Sequence, residues 1–236
     1  MLLELHAHSS GISFCANHTP IELVNKIKQE GLNGVVLVNH YVHWYEKSHN
    51  CATYADFVRK YVDEFLSAKA EGDRLGVKVF FGVEVSPSYN ENAHLLIYGI
   101  EPEDFLSMEA FYNYSLQELF SLCIANGWAM VQAHPFRYGQ DLQDLNYLHG
   151  LEINCNQSYN TDSDKVIPIA LSGHVALTCG GDFHRGVRPN CGTFVPDDVS
   201  CNKDLANYLR TTKTITLRVQ EVGVTDFYDK TFKLNR

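Results

Sequence analysis

The chain begins with an alternation of apolar and polar side chains that predicts a β-strand, because successive residues of a strand point to opposite faces. Leu3 and Leu5 share one face, and Glu4, His6 and His8 share the other. Two imidazoles on one face of a strand offer two neutral nitrogen ligands to a single cation. The same alternation is also typical of an edge strand with a solvated polar face, so this segment alone leaves both interpretations open.

Further apolar runs alternate with segments of helical pattern along most of the chain. The segment 34–40 contains a continuous apolar run, as in strands buried on both faces of a parallel sheet. Other strands are predicted over residues 77–85, 93–98, 128–132, 150–154, 175–179 and 212–219. Helices are predicted over residues 20–30, 53–75, 102–126 (with a break near Tyr112), 142–148, 164–172 and 203–210.

This order of elements predicts the class of fold. Strands that alternate with helices indicate β-α-β units and a parallel sheet, and about seven such strands fit a closed or nearly closed α/β barrel. We find no linker, internal repeat or low-complexity segment in the sequence. A single barrel domain over residues 1–236 is therefore expected.

The composition limits the classes of partner. A formal net charge of −9 at pH 7 disfavours a broad nucleic-acid-binding surface, which is normally basic, so long nucleic acids are not expected as partners. No apolar run approaches the roughly 20 residues that cross a membrane, and no signal segment precedes the first strand. The 7 cysteines are scattered without a Cys-x-x-Cys pair, which favours a reducing cytoplasm. We therefore expect a cytoplasmic protein, whose oligomeric state the sequence leaves open.

Side chains of the metal-ligand type lie at or just beyond the predicted strand ends, namely His40, Glu84, His134, Asp182 and His184. The carboxyl ends of parallel barrel strands meet at one rim, where sites form, so these side chains are expected to converge. Together with His6, His8 and His94 they are enough ligands for two or three divalent ions. Such mixed nitrogen and oxygen sets suit Zn, Mn or Fe rather than Mg or Ca.

The order of these motifs resembles that of the polymerase-and-histidinol-phosphatase (PHP) family. The matching segments are His6-Ala7-His8, Asn39-His40, Gly82-Val83-Glu84, His94, His134-Pro135 and Gly180-Gly181-Asp182-Phe183-His184. Each motif is weakly specific by itself, but the ordered set, which spans about residues 2–190, is specific. The resemblance implies a distorted (β/α)7 barrel with a trinuclear metal centre.

The resemblance also implies a role for each matched residue. Glu84 would bridge two metal ions, one held with His6, His8 and Asp182 and the other with His94 and His134. A third ion would lie between His40 and His184, with a further ligand from the loop after the first strand. His18 is the favoured candidate for that ligand and Cys15 the less favoured one.

Two positions depart from the family pattern, because Glu4 and Asn39 stand where the family often has aspartate. Asn39 is expected to weaken the third metal site, since an amide lacks the charge that raises the basicity of a neighbouring ligand. Glu152 lies inside a predicted strand, where a carboxylate has to be paired or point into the barrel.

The implied activity is hydrolysis of a phosphoester by a metal-bridging hydroxide, with Asp182 or His184 moving protons. Arg137 and Arg185 follow two of the motifs, and their guanidinium groups are expected to bind phosphate oxygens. Because polymerase domains are absent from this sequence, the expected substrate is a phosphomonoester of a small metabolite.

Two alternatives stay open at this point. The aromatic segment 39–45 suits base stacking, which favours a phosphodiesterase or exonuclease acting on nucleotides or short oligonucleotides. A non-catalytic module that binds a metal or ligand is the alternative of another class.

Overall fold

One curled sheet organises the part of the chain that the computed structural model describes, which comprises residues 1–137, 139–154, 163–185, 191–220 and 226–235. Its strands are β1 (Leu2–Ala7), β2 (Gly34–Leu37), β3 (His40–Tyr41), β4 (Lys78–Val85), β5 (Leu95–Tyr98), β6 (Ala129–Gln132), β7 (Gly150–Asn154), β8 (Ala176–Gly180), β9 (Gly192–Phe194), β10 (Thr214–Val219) and β11 (Tyr228–Lys233). The helices are α1 (Pro20–Gln29), α2 (Tyr45–Ser48), α3 (Tyr54–Leu75), α4 (Pro102–Ser107), α5 (Leu116–Asn126), α6 (Ser163–Ser172) and α7 (Asn202–Thr211).

The strand order is β11-β10-β9-β1-β2-β4-β5-β6-β7-β8, and the short β3 pairs with β4. The pairs β1–β2, β2–β4, β6–β7 and β7–β8 are parallel, as predicted. The expectation of an all-parallel barrel is wrong at β5, which is antiparallel to both β4 and β6. No helix lies between β4 and β5, so the chain turns back directly beside the strand that it has just left. The fold is a mixed α/β half-barrel.

The sheet curls until the end of β8 meets the end of β1. Phe183, just beyond β8, forms a parallel bridge with Ala7. Its N–H donates to the His6 carbonyl at 2.9 Å, and its carbonyl accepts from the His8 N–H at 3.0 Å. This contact brings the first and last sequence motifs to one rim of the sheet.

The β1 strand is buried on both faces, so the edge-strand interpretation of its pattern is wrong. Leu3 and Leu5 belong to the hydrophobic core, and Glu4, His6 and His8 are also fully buried. Polar side chains in such a position need specific partners, because burial without them costs free energy.

The helix starts predicted near residues 20 and 53 are confirmed by side-chain caps, and Ser115 caps α5 in the same way. Each cap, Thr19, Thr53 or Ser115, accepts from the N–H three residues later, and the acidic side chain there accepts from the N–H of the cap. The α3 helix ends at Gly76, whose left-handed φ of 67° suits glycine.

Four short elements depart from the prediction. Segment 142–148 holds only a 3₁₀ turn, Leu145–Tyr147, and α2 lies between the helices predicted over residues 20–30 and 53–75. The strands β9 and β11 were missed, and they extend the sheet antiparallel beyond β1. Within the described ranges, no helix is both long enough and apolar enough for a bilayer crossing.

Candidate metal centre

Eight of the nine predicted metal ligands come together at the rim where β1 meets the end of β8. His6 lies in β1, Glu84 lies in β4, and His40 begins β3. The remaining residues flank strand ends, namely His8, His94, His134, Asp182 and His184. His94 immediately precedes β5. Because β5 is antiparallel to β4, the beginning of β5 lies beside the end of β4. Reversal of β5 therefore brings this histidine to the same rim.

Glu84 lies at the centre of the cluster and is fully buried. Its Oε1 atom lies 2.9–3.4 Å from nitrogens of His6, His94 and His134. Its Oε2 atom lies 2.6 Å from His40 Nδ1 and 3.4 Å from His8 Nε2. The two oxygens thus face different sets of imidazoles, which is the arrangement that a bridging carboxylate requires.

Asp182 lies opposite Glu84. Its Oδ1 atom is 3.2 Å from both His6 Nε2 and His8 Nε2, and 3.0 Å from His184 Nδ1. The backbone φ of Asp182 is 49°, and that of His134 is 28°. Positive φ is uncommon outside glycine, and such strained residues concentrate at functional sites.

In three of the histidines, the Nδ1 atom, which points away from the centre of the cluster, lies within hydrogen-bond distance of a buried acceptor. His6 Nδ1 donates to Glu152, whose two oxygens are both 3.0 Å away, and His134 Nδ1 donates to Gln140 Oε1 at 2.8 Å. His8 Nδ1 lies 3.1 Å from Ser13 Oγ. These bonds fix the proton on Nδ1 and direct the Nε2 lone pair towards the centre, as in protein metal sites.

The sequence had indicated a paired or inward-pointing Glu152, but gave no signal for Ser13 or Gln140. Both are polar residues in loops, where no periodicity marks a buried position. Only the folded loop geometry brings them to the histidines.

Four buried atoms of the cluster have no hydrogen-bond partner in the described part of the chain, namely His6 Nε2, His8 Nε2, Glu84 Oε2 and Asp182 Oδ1. They lie within 3.2–3.4 Å of one another in several pairs. Unpaired polar atoms in a dry interior are costly, and a cation would satisfy nitrogen and oxygen lone pairs together. The donor set therefore fits divalent transition metals.

Electrostatics within the cluster shift several pKa values. Burial opposes ionisation of Glu84 and Asp182, but the surrounding imidazoles hold the pKa of both carboxyls well below their usual range. Burial disfavours the charged forms of His40 and His184, but the neighbouring carboxylates outweigh it. Glu84 is the main cause that raises the pKa of His40 to about 9, and Asp182 is the main cause that raises the pKa of His184 to about 10. Both shifts favour the protonated forms of His40 and His184 when no cation is bound.

The loop after β1 contains the two candidates for the additional ligand. His18 stacks on Phe183 with ring centroids 5.4 Å apart, and its Nε2 atom is buried without a hydrogen-bond partner. Cys15 contacts His184 and His40. Burial alone would raise the pKa of the Cys15 thiol, but its hydrogen bonds with these two residues lower it to about 6.

The two predicted substrate-binding arginines occupy different positions. Arg137 is half-buried, and its Nη1 donates to Asp182 Oδ2. Arg185 is exposed, and its Nε donates to the Cys15 carbonyl at 2.8 Å. Arg137 is therefore in direct contact with the cluster, whereas Arg185 lies over the adjoining loop.

Known proteins resemble this chain in structure rather than in sequence. Neither a protein-family model nor a curated protein sequence matches this chain. A solved two-domain protein from Bacteroides vulgatus contains a predicted PHP-like metal-dependent phosphoesterase and is similar at 17% identity and a TM-score of 0.58. The match covers 92% of this chain and 58% of the two-domain protein.

This chain has a PHP-like fold. The structural likeness agrees with the resemblance of the ordered motifs. A proposed metal-dependent phosphoesterase from Bifidobacterium adolescentis shares the fold at 17% identity and a TM-score of 0.52, with 86% of this chain and 93% of that chain covered. An amidohydrolase from Chromobacterium violaceum matches at 17% identity and a TM-score of 0.55, with 83% and 92% covered.

Proposed function

We propose that this PHP-like chain is a metal-dependent phosphoesterase that hydrolyses a phosphomonoester of a small metabolite. The observation that carries the proposal is the set of four buried, unpartnered nitrogen and oxygen atoms beside the Arg137 guanidinium. The unpartnered atoms favour cations, and a guanidinium beside cations favours an anionic substrate.

The converging groups would hold two to three divalent Zn, Mn or Fe ions. The described residues form four groups of three ligand atoms, and the atoms within each group lie within 4.8 Å of one another. The groups are His6, His8 and Glu84; His40, Glu84 and His94; His6, His134 and Asp182; and His8, His40 and His184. When bound, such ions would activate water and offset the charge of the phosphoryl oxygens.

The chain's own residues would then divide the remaining tasks. Arg137 would bind a phosphate oxygen pair through its planar fork of donors. His184 lies at the edge of the cluster with partial exposure, where it could exchange a proton with the leaving group. Asp182 would orient His184, since its Oδ1 lies 3.0 Å from His184 Nδ1.

A second candidate is a phosphodiesterase acting on nucleotides. Phe14 and Trp44 are 53% and 42% exposed, and Phe14 immediately precedes Cys15 at the cluster. Exposed aromatic rings can stack on a base. Most of the predicted aromatic segment packs inward instead, since Tyr41 and Tyr45 belong to the core.

The test is a hydrolysis screen with protein that is metal-free or loaded with Zn, Mn or Fe. The substrates are a panel of phosphomonoesters, a bis-ester dye and simple amides, because the fold also occurs in an amidohydrolase. Asp182→Asn is compared with Asp73→Asn, which alters a surface ion pair with Lys69. We expect monoester hydrolysis in the loaded wild type and Asp73→Asn, and none in Asp182→Asn.

The other outcomes identify the alternatives. Preferential bis-ester turnover would favour the phosphodiesterase, and turnover of amides alone would favour an amidohydrolase. Full metal loading without any turnover would favour the non-catalytic module. Equal turnover by metal-free protein would refute the metal-dependent mechanism.

A further inference from the structure

One end of the cluster is formed by three imidazoles. His8, His40 and His184 place their ligand atoms within 4.8 Å of one another. The Nε2 atoms of His40 and His184 face each other at 3.2 Å. Three imidazoles leave a cation one ligand short of the four that transition metals such as zinc usually take, so a further ligand would strengthen binding here.

Cys15 supplies a sulfur atom at this end, where its thiol contacts both His184 and His40. Two hydrogen bonds join the backbone around Cys15 to residues 184 and 185. Arg185 Nε donates to the Cys15 carbonyl at 2.8 Å, and the Asn17 N–H donates to the His184 carbonyl at 2.9 Å. The loop that carries the thiol is thus bonded directly to the segment that carries His184.

One unpartnered atom beside these residues indicates a missing ligand. His8 Nε2 is fully buried, lacks a hydrogen-bond partner in the described chain and belongs to the same group of three ligand atoms as His40 and His184. A cation at this end of the cluster would satisfy the Nε2 lone pair of His8.

We propose that Cys15, rather than His18, is the loop ligand of the third metal position, which is a thiolate site shared with His40 and His184. This inference rests on the proposed metal centre and specifies its chemistry. A thiolate is a soft ligand, so the position would favour Zn²⁺, Fe²⁺ or Co²⁺ over the harder Mn²⁺. His18 instead packs its ring against Phe183.

The test uses Co²⁺, because a thiolate bound to this ion gives a charge-transfer absorption that imidazole and carboxylate ligands do not. Metal-free full-length protein is titrated with Co²⁺, and the near-ultraviolet spectrum and bound metal are both measured. The variants are Cys15→Ser, Cys15→Asp and His18→Ala. Cys51→Ser is the matched control, since Cys51 is also a half-buried free cysteine and lies between α2 and α3.

We expect the charge-transfer band in the wild type, in His18→Ala and in Cys51→Ser. Cys15→Ser should lose the band and about one bound ion per chain, because the position is left with too few ligands. Cys15→Asp should lose the band, retain the ion and gain preference for Mn²⁺ over Zn²⁺ by about tenfold or more.

Retention of the band in folded Cys15→Ser, or its loss in His18→Ala alone, would overturn the assignment. Full Co²⁺ binding by the wild type without a band would refute the thiolate ligand and leave the metal centre intact. Absence of Co²⁺ binding altogether would refute the proposed metal centre as well. Far-ultraviolet circular dichroism identifies any variant that fails to fold.

Discussion

Replacement of Glu152 by glutamine isolates the contribution of one buried charge beneath the metal ligands. Glu152 is fully buried, and both of its oxygens lie 3.0 Å from His6 Nδ1. Its Oε2 atom also accepts from the His134 N–H at 3.1 Å. The carboxylate therefore orients one imidazole and the backbone of a second ligand.

The expected loss of metal affinity in Glu152→Gln follows from the hydrogen bonds that glutamine can still accept and from the charge that it lacks. Its single carbonyl oxygen can accept from His6 Nδ1 or from the His134 N–H, but its amide group then faces the other donor. It also lacks the charge that makes His6 a more basic ligand. Loss of such outer partners lowers metal affinity by about 10- to 100-fold, or roughly 1.4–2.7 kcal/mol. Glu152→Ala, which removes both acceptors, should lie at or beyond the upper limit.

The assay is a Zn²⁺ titration of metal-free protein against a competing chelator, with urea unfolding of the same samples to measure stability without metal. Glu101→Gln is the matched control, because Glu101 accepts from Asn202 at 2.6 Å on a different part of the fold. We expect it to bind Zn²⁺ as the wild type does. Unchanged Zn²⁺ affinity in both Glu152→Gln and Glu152→Ala would refute the reasoning.

Three further predictions concern the cluster and its edge. Glu84→Gln should abolish activity and remove more than one metal ion per chain by elemental analysis, and full metal content would contradict its bridging position. Arg137→Ala should lower kcat/KM by about 10- to 150-fold at unchanged metal content, since a charge-assisted contact contributes roughly 1.5–3 kcal/mol. Steady-state kinetics should show a smaller effect for Arg185→Ala, because Arg185 is exposed, and equal losses would contradict this ranking. The pKa values of His40 and His184, raised to about 9 and about 10, keep both imidazoles protonated at pH 7, so chelator-competed affinity should rise with pH and level off only above about pH 10. A flat profile would show that no proton is displaced.

The convergence of the cluster residues was largely predictable because they lie at strand ends, and apolar runs in the sequence indicate where each strand ends. Glu84 and Asp182 follow apolar runs that end at the same rim. Helix starts were predictable for a similar local reason, since Thr53 and Asp56 are close enough in sequence to form a capping box. Whether the cluster binds metal stays a prediction.

The direction of β5 was not predicted, although the sequence contained a signal for it. Segment 86–92 has no helical periodicity, and a parallel connection needs a crossover of a dozen or more residues. The short strand β9 was missed because three residues give no recognisable alternation. Its pairing with β1 depends on contacts distant in sequence, such as that between Leu3 and Thr193.

The choice between Cys15 and His18 illustrates the limit of spacing as an argument. Both lie in one loop, and histidine is the commoner metal ligand, so residue type alone favours His18. Our proposal separates them through tertiary contacts, because the Cys15 thiol contacts His184 and His40 whereas the His18 ring stacks on Phe183. No local pattern encodes those contacts.

Asn39 shows how a departure from a family pattern is explained by its surroundings. Its Oδ1 accepts from the Ser9 N–H at 2.7 Å and from Ser13 Oγ at 2.9 Å, and its Nδ2 donates to Ser9 Oγ at 2.9 Å. Ser9 Oγ donates its own proton to Glu64 at 2.6 Å, so it needs a donor from position 39. An aspartate there would lack that donor and would add a charge near Glu64. Because Ser13 donates to Asn39, its oxygen is left to accept from His8 Nδ1, which keeps the Nε2 lone pair of His8 directed at the cluster. The neutral amide thus fixes a ligand tautomer through the serine, by a route that needs no charge at position 39.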